Sequence, residues 1–269
     1  MSRELAGQVA FVTGSGRGLG QAIARRLAEL GADVAIHDLS PGAPARFGEW
    51  RDLDEVAASV AALGVRTVAV AGNVGDQAAV RRMRDEIEAR LGAVDILVNC
   101  AGGDIGAAGG KPQPNDVLGI PIEDIQALTN NNLIGTMLVC QTFVPPMRER
   151  GRGAVVNIGS TAAHVGLSNG AIYATLKAAI VHYTRCLAME LIEHGVRVNA
   201  VSPGPTKTAR FQATRVVDPQ MMDASGRSLQ RYAEPAEIAD AVAFLAGPRA
   251  RFVNGQVLRV DGGHQLFAA

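Results

Sequence analysis

The sequence predicts a single α/β domain built on a doubly wound parallel sheet of about seven strands, with helices on both faces. Strand-like apolar runs alternate with helical patterns along all 269 residues. These runs are continuously apolar, which is typical of parallel strands covered on both faces. A glycine-rich turn at 14–20 joins the first strand to the first helix. No linker or repeat divides the chain, so we expect one domain over residues 1–269.

The elements follow in a regular order. The apolar run at 8–13 predicts the first strand, and apolar residues at helical spacing over 18–30 predict the first helix, which Gly31 ends. The second strand is predicted at 33–38. Further strands are expected at 66–71, 94–99, 153–159, 196–202 and 256–260, and further helices at 53–63, 76–91, 121–147, 170–193 and 235–246.

Two stretches rich in proline and glycine interrupt this alternation. Residues 40–50 follow the second strand and contain the only tryptophan, and residues 103–120 follow the fourth strand. Loops at the carboxyl ends of parallel strands border the ligand crevice in such folds. Both stretches are therefore candidates to shape a binding site, with surface decoration as an equal alternative for 40–50.

Charge and composition narrow the classes of partner. The chain carries 26 basic and 26 acidic residues, which gives no indication of a nucleic acid or an anionic membrane as a partner. No apolar run approaches the roughly 20 residues that span a bilayer, and the N-terminus lacks a signal-peptide pattern. The histidines show no ligand spacing, so no metal site is expected. The scattered cysteines predict buried thiols in a reducing cytoplasm; they are Cys100, Cys140 and Cys186.

Tyr173 and Lys177 are the most informative pair of residues. Four positions apart on a predicted helix, they lie on one face with Cβ atoms about 5–6 Å apart. A phenol has a pKa of about 10, and a nearby ammonium lowers that pKa by favouring the phenolate. The spacing alone occurs by chance in many helices. Combined with a nucleotide site, it predicts a general acid or base.

The glycine-rich turn predicts that nucleotide site. Gly14, Gly18 and Gly20 let the backbone turn tightly, so that a pyrophosphate can approach the positive N-terminus of the following helix. Asp38 ends the next strand 18 residues after Gly20, close to the spacing of about 20 for an acid that binds a ribose 2′-hydroxyl. Such an acid favours NAD. Arg17 has the charge that would suit NADP.

These motifs together resemble the short-chain dehydrogenase/reductase family, a group with a Rossmann-type fold. The resemblance covers essentially the whole chain in order. The matching segments are Thr13-Gly14-x-x-x-Gly18-x-Gly20, Asn99-Cys100-Ala101-Gly102, Asn132-Leu-Ile-Gly135, Ser160 thirteen residues before Tyr173, Tyr173-x-x-x-Lys177, Arg197-Val-Asn199-Ala-Val-Ser-Pro203-Gly204 and Val260-Asp261-Gly262-Gly263.

The resemblance implies a catalytic role for four residues. Tyr173 is the general acid/base, and Lys177 lowers its pKa and binds the nicotinamide ribose. Ser160 holds the substrate oxygen, although a serine at a strand end can also cap a turn. Asn132 supports a water chain from Lys177 to solvent.

It also implies the cofactor contacts. Leu39, rather than an arginine, follows Asp38, which adds to the preference for NAD over NADP. Asn73 replaces the family's usual aspartate against the adenine, and Cys100 replaces an asparagine. The expected cofactor-binding residues are Gly14, Arg17, Gly18, Leu19, Gly20, Asp38, Leu39, Asn73, Val74, Asn99, Ala101, Gly102, Tyr173, Lys177, Pro203, Gly204, Thr206 and Thr208.

We therefore expect an enzyme that transfers a hydride between NAD(H) and a secondary alcohol or ketone. The cofactor half is expected at about 1–150, the catalytic half at about 151–269, and a substrate lid at about 205–232. Alternatives are an NADPH-dependent 3-oxoacyl thioester reductase and a catalytically silent NAD(P)-binding sensor. Candidate pocket residues are Gly103, Asp104, Ile105, His164, Val165, Leu167, Asn169, Met221 and Met222.

Two finer expectations concern the substrate and the assembly. The loop rich in glycine and asparagine, together with His164, favours a polar small-molecule substrate such as a polyol or sugar. The resemblance implies a homo-oligomer, a tetramer or a dimer, and the apolar tail at Leu266 and Phe267 fits this, because these side chains would otherwise be exposed.

Overall fold

The computed structural model describes residues 3–266 and contains a sheet of seven strands in the order β3-β2-β1-β4-β5-β6-β7. Every neighbouring pair is parallel, which confirms the predicted doubly wound architecture. The strands are β1 Val9–Thr13, β2 Asp33–Asp38, β3 Thr67–Ala71, β4 Ile96–Asn99, β5 Gly153–Ile158, β6 Val196–Pro203 and β7 Val257–Val260.

Helices cover both faces of the sheet. One apolar layer packs α1, α2 and α8 against it, and the other packs α3, α5 and the end of α6. None of the helices within 3–266 is both long enough and apolar enough to cross a membrane. The helices are α1 Gly18–Glu29, α2 Leu53–Ala61, α3 Gln77–Arg90, α4 Ile122–Thr129, α5 Gly135–Arg150, α6 Ala171–Glu190, α7 Ala209–Thr214 and α8 Pro235–Ala246.

The strand order reverses beside β1, and this reversal sets the position of the site. β1 pairs with β2 on one side and with β4 on the other, and Thr13 and Asn99 are partners at the ends of their strands. Ligands of doubly wound sheets bind outside the carboxyl ends of the strands at such a switch point. The ends of β1, β2 and β4 carry the glycine-rich turn, Asp38 and the Asn99 segment.

The prediction of a single helix over 121–147 is wrong, because the structure divides this stretch. A turn of π-helix, Asn130–Ile134, separates α4 from α5, and α5 continues to Arg150. Within this turn the Asn132 amide donates to the Leu128 carbonyl at 2.9 Å, so a side chain takes up a carbonyl inside the helix. Three consecutive asparagines at 130–132 interrupt the apolar pattern here, but a polar run inside a predicted helix does not by itself indicate a π-turn.

The loops contain short elements that the sequence does not predict. Within the expected lid at 205–232, α7 begins after Thr208, whose hydroxyl accepts from the Phe211 N–H at 3.1 Å. A 3₁₀ turn follows at Pro219–Met222, and another lies in the insertion at Ala43–Phe47. These elements span too few residues to show a helical period. The other predicted boundaries differ from the observed ones by at most three residues.

Candidate active site

A cavity of about 500 Å³ opens at the carboxyl ends of the strands. Its walls come from the start of α1, the end of β5, the first turns of α6, and the segment that follows β6. Ser160, Tyr173 and Lys177 line it together. The fold therefore brings three of the four predicted catalytic residues to one cavity.

Lys177 lies under the Tyr173 ring. The two residues are four apart in α6, and the Lys177 ammonium is 5.7 Å from the centre of the Tyr173 ring. The ammonium is buried and donates to the Ile158 carbonyl at 2.8 Å, at the end of β5. Among residues 3–266 it has no carboxylate within ion-pair distance. Its charge can therefore act on groups inside the cavity.

Ser160 caps a turn, as one of the two roles considered from the sequence requires, and it also lines the cavity. It precedes a 3₁₀ turn at Thr161–His164, and its hydroxyl oxygen accepts from the Ala162 N–H at 3.1 Å. A hydroxyl that accepts one hydrogen bond still has its own proton to donate. The cap holds the Ser160 side chain at the cavity wall, beside Tyr173, with that proton available.

Asn132 lies behind the cavity rather than in its wall. Its side chain is fully buried and exchanges two hydrogen bonds with Gly103, one donated at 3.0 Å and one accepted at 2.9 Å. Gly102 has a φ of 126°, and a Cβ there would lie 2.5 Å from the Asn132 amide oxygen. Asn132 thus holds the Gly102-Gly103 segment, which does line the cavity.

The glycine-rich turn packs directly against the end of β4. A Cβ on Gly20 would lie 2.2 Å from the Gly14 carbonyl oxygen, and a Cβ on Gly14 would lie 2.9 Å from the Ala101 Cα. The Thr13 hydroxyl accepts from the backbone N–H groups of Cys100 and Ala101, both at 3.0 Å. These contacts fix the two backbone segments that border the cofactor crevice.

His37 supports the same turn and was missed by the sequence reasoning. Its Nδ1 accepts from the Gly14 N–H at 2.9 Å, and its Nε2 lies 2.9 Å from the Gly72 carbonyl, which requires a donor there. Burial lowers the pKa of His37, and the Gly72 bond and Asp38 oppose this only in part. The imidazole is therefore neutral. A polar residue inside an apolar strand, directly before Asp38, is the signal that could have found it.

Asp38 and Arg17 face each other where the ribose acid was predicted. The Asp38 carboxylate accepts from the Leu39 N–H at 2.8 Å, and its second oxygen lies 3.8 Å from the Arg17 Nε. The Arg17 guanidinium also lies 4.9 Å from the centre of the Phe47 ring, which belongs to the 40–50 insertion. The cation that would suit NADP thus has an acidic partner and an aromatic one. The Leu39 side chain is exposed at the end of β2.

Three predicted cofactor residues point away from the cavity. The Asn73 amide oxygen accepts from the Gly75 N–H at 2.8 Å, and Val74 is buried against Gly135, where a Cβ would lie 2.6 Å from a Val74 methyl. The Asn99 amide is buried and donates to Asn157. Side-chain contacts of these three residues hold the crevice in shape.

The turn after β6 forms one wall of the cavity. Pro203, Gly204, Thr206 and Thr208 line it. The Thr208 side chain lies 3.5 Å from the position of a Cβ on Gly18, so the beginning of the expected lid touches the glycine-rich turn. The turn predicted to bind the pyrophosphate therefore lies next to the turn predicted to bind the nicotinamide carboxamide.

The predicted pocket residues divide into two groups. Those after Ser160 and those after β4 line the cavity; they are Val165, Leu167, Asn169, Gly103, Asp104 and Ile105. His164, Met221 and Met222 do not line it. The 3₁₀ turn directs His164 back to β6, where its Nε2 lies 3.0 Å from the Ser202 hydroxyl. The sequence reasoning missed several lining residues, because they lie in the lid or near the C-terminus: Arg210, Phe211, His264 and Gln265.

Comparison with known proteins identifies the family. A family model described as enoyl-(acyl carrier protein) reductase matches residues 14–265. 2,3-Dihydro-2,3-dihydroxybenzoate dehydrogenase of Bacillus subtilis is 34% identical, with 98% of each chain covered. Among solved structures, 7α-hydroxysteroid dehydrogenase complexed with NADH and 7-oxo glycochenodeoxycholic acid has a TM-score of 0.83 and 31% identity, over 97% of this chain and 96% of that one.

Another relative was solved with the other cofactor. A gluconate 5-dehydrogenase from Burkholderia cenocepacia, in complex with NADP and tartrate, has a TM-score of 0.79 and 32% identity, over 97% of this chain and 96% of that one.

The chain belongs to the short-chain dehydrogenase/reductase family. It is an oxidoreductase that acts on CH–OH or C=O groups, on a fold that binds NAD(P).

Proposed function

We propose that this protein is an NAD(H)-dependent dehydrogenase of secondary alcohols carried on a ring, with Tyr173 as the general acid/base. The observation that carries the proposal is the shared cavity of Ser160, Tyr173 and Lys177. An alcohol oxygen placed between Ser160 and Tyr173 would have a hydrogen-bond donor, the Ser160 hydroxyl, on one side and a proton acceptor, Tyr173, on the other. We further propose that the enzyme acts in the cytoplasm, which its three free cysteines suit, although Cys186 is exposed and not buried as expected.

The reaction needs a proton and a hydride to leave the same CH–OH group. Tyr173, as phenolate, takes the hydroxyl proton in oxidation and returns it in reduction. Lys177 stabilises the phenolate through its charge. Ser160 donates to the substrate oxygen and stabilises the charge that develops there. A bound nicotinamide would accept the hydride in oxidation and supply it in reduction.

The remaining roles concern position. The backbone of the glycine-rich turn and of the Asn99–Gly102 segment would hold the nucleotide, and Gly204, Thr206 and Thr208 would meet the carboxamide. Asn132 would set the Gly102-Gly103 wall and support the proton path behind Lys177. Residues 205–232 would act as the substrate lid. Lys177 would also bind the nicotinamide ribose.

NAD is favoured over NADP by the ends of β1 and β2. A 2′-phosphate would meet the Asp38 carboxylate, and like charges at such distances repel. Arg17, which could offset that repulsion, already lies beside Asp38 and Phe47. The apolar side chain of Leu39 carries no positive charge that could bind the 2′-phosphate of NADP.

The substrate side of the cavity favours a ring. Val165, Leu167 and Phe211 give it apolar walls, and Asn169 and His264 supply a few polar groups, the composition that is usual for sites of this size. Two of the relatives compared above are named for hydroxyl groups on a benzoate-derived ring and on a steroid. Because His164 turns away from the cavity, part of the argument for a sugar or polyol is lost.

The test is NAD(P) reduction by the purified protein, followed at the absorbance of the reduced nicotinamide. Cyclohexanol, a cyclic dihydrodiol and a hydroxysteroid form one set of substrates, and gluconate, a polyol and a 3-hydroxyacyl thioester form the other. Turnover of the ring set with NAD supports the proposal. Turnover of the thioester with NADP would support the alternative reductase. Cofactor binding without turnover across both sets would favour the silent sensor.

A further inference from the structure

The 40–50 insertion places an acid at the start of α1. The Glu49 carboxylate accepts from the Gly18 N–H at 3.0 Å. The N-terminus of this helix is where a dinucleotide pyrophosphate binds in doubly wound folds. The second Glu49 oxygen is buried and has no hydrogen-bond partner within residues 3–266. The chain therefore places an anion of its own beside the expected pyrophosphate position.

The segment that carries Glu49 lies across the cofactor crevice. We call residues 43–50 the strap. On one side, the Phe47 ring stacks on the Arg17 guanidinium, whose N–H group Nη1 is buried and has no hydrogen-bond partner among the described residues. On the other side, Arg46 donates to the Gly109 carbonyl of the 103–120 loop. The two insertions therefore meet, and the contacts of Arg46 and Phe47 hold the strap just before Glu49.

A cation reaches the same region from the lid. Arg210, in α7, donates to the Gly102 carbonyl at 3.0 Å and lines the cavity. A Cβ on Gly103 would lie 2.5 Å from its guanidinium, so a glycine makes room for it. Thr208, two residues earlier, touches the glycine-rich turn at Gly18. Within 3–266, Arg210 has no carboxylate at ion-pair distance.

The charges around this point are unbalanced. Arg17 has a pKa lowered first by burial and then by the charges of Arg210 and Arg46, while Asp38 and Glu49 oppose the change. The charges of Arg210 and Arg46 thus both repel that of Arg17. A doubly charged pyrophosphate would offset that repulsion, provided that Glu49 gave up its position.

We propose that Glu49 and Arg210 act in opposite directions on the binding of the cofactor's pyrophosphate. Glu49 occupies the N-terminus of α1 and leaves when a nucleoside diphosphate arrives. Arg210 then holds that diphosphate from the lid. The inference rests on the proposed cofactor, and it assigns to the strap a function that the sequence left open.

The test compares variants of opposite sign. Glu49→Gln keeps an acceptor for the Gly18 N–H and removes the charge, so ADP-ribose and NADH bind about 10-fold more tightly. Arg210→Gln removes a charged donor, so both bind about 10-fold more weakly; these sizes follow from the strength of charge-assisted hydrogen bonds. Adenosine, which lacks phosphate, binds equally to all variants. Dissociation constants come from calorimetry, and circular dichroism checks the fold of each variant.

Matched controls separate this effect from general changes of charge. Asp54→Asn removes an exposed acid in the first turn of α2, and Arg227→Gln removes an exposed arginine elsewhere in the lid. Neither changes the affinity for ADP-ribose. Raising the salt concentration weakens ADP-ribose binding to the wild type more than to Arg210→Gln, because one ionic contact is missing in the variant.

Several results would overturn the inference. Glu49→Gln with unchanged or weaker ADP-ribose binding would show that Glu49 does not compete. Unchanged ADP-ribose binding by Arg210→Gln would show that Arg210 does not hold the diphosphate. If adenosine binding changed as much as ADP-ribose binding, both effects would arise away from the pyrophosphate. Because ADP-ribose binding needs no substrate, these results are independent of whether ring alcohols turn over. A wild type that binds neither ADP-ribose nor NADH would contradict the inference and the proposed cofactor together.

Discussion

The Nδ1 atom of His37 lies 2.9 Å from the backbone nitrogen of Gly14, so a buried imidazole on β2 fixes the first glycine of the cofactor turn. Its other ring nitrogen bonds to the Gly72 carbonyl just after β3. One side chain thus joins the segments that follow β1 and β3. Only the neutral ring with its proton on Nε2 can make both hydrogen bonds.

This relationship predicts a loss of stability in mild acid. Burial lowers the pKa of His37 in the folded protein below its ordinary value of about 6.5. Between those two pKa values the unfolded chain binds more protons than the folded one. The contribution of His37 to the free energy of unfolding is therefore constant above about pH 6.5 and falls as the pH is lowered below it, by up to about 1.4 kcal/mol per pH unit.

Urea denaturation of the wild type and His37→Asn between pH 8 and pH 5 checks this. Asparagine can accept from Gly14 but cannot be protonated, so the variant loses less stability on acidification. His164, whose pKa is also lowered by partial burial, is present in both proteins and cancels in the comparison. Parallel pH curves for the two proteins would exclude His37 as the source.

Asp38→Asn shifts cofactor preference. Without the carboxylate, a 2′-phosphate no longer meets a negative charge, and Arg17 is free to attract it. We expect the ratio of kcat/KM for NADP to that for NAD to rise at least about 10-fold, which corresponds to about 1.4 kcal/mol of removed repulsion. Asp33→Asn, at the other end of β2 and paired with Arg66, leaves the ratio unchanged. An unchanged ratio in Asp38→Asn would argue against the ribose contact.

A buried chain of hydrogen bonds links the end of β4 through β5 to α6, the helix that carries Tyr173 and Lys177. The Asn99 amide donates to Asn157 at 2.8 Å, and the Asn157 amide donates to the Thr184 hydroxyl of α6 at 2.9 Å. Asn157→Leu leaves both partners with unmade hydrogen bonds in the core. Each such group costs about 1–3 kcal/mol, so thermal unfolding shifts down by several degrees.

A surface control makes that result specific. Gln141→Leu introduces the same apolar side chain at an exposed position of α5 and changes stability by less than about 0.5 kcal/mol. If Asn157→Leu were as stable as this control, the chain of hydrogen bonds would not contribute to stability as argued.

The C-terminal region predicts self-association. Leu258 on the edge strand β7 is partly exposed, and Phe252 and Leu266 are largely exposed in the monomer. Exposed apolar side chains of this size favour burial against a second copy. Light scattering at micromolar concentration is expected to give a dimer or a tetramer, whereas a monomer would contradict this prediction. Phe267, part of the same expectation, lies outside the described residues.

Much of the architecture could be predicted because local and overall patterns agree. Seven apolar runs, a glycine turn between a strand and a helix, and Tyr173 four residues before Lys177 each depend on neighbours in sequence. The alternation does not contain the order of the strands, which the structure supplies. The cavity assembles Ser160, Tyr173 and Lys177, as the resemblance to the family implied.

The parts that could not be predicted depend on contacts across the fold. His37 matters because Gly14 and Gly72 lie on either side of β2, which no local pattern shows. Glu49 and Arg210 lie in segments without periodicity, and their meeting at the crevice is set by loop packing. The π-turn at Asn132 contains a side-chain hydrogen bond to the Leu128 carbonyl, which the run of three asparagines does not by itself reveal. Each of these is a tertiary contact of an irregular segment.

The central claim is proton transfer by Tyr173, and the most direct measurement is the rate of NADH formation from a ring alcohol by the wild type and Tyr173→Phe. Phenylalanine keeps the ring over Lys177 and removes the hydroxyl. We expect a kcat at least about 100-fold lower for Tyr173→Phe, as is typical for the loss of a general acid/base, with an unchanged dissociation constant for NADH. A kcat within a few-fold of the wild type would contradict the central claim.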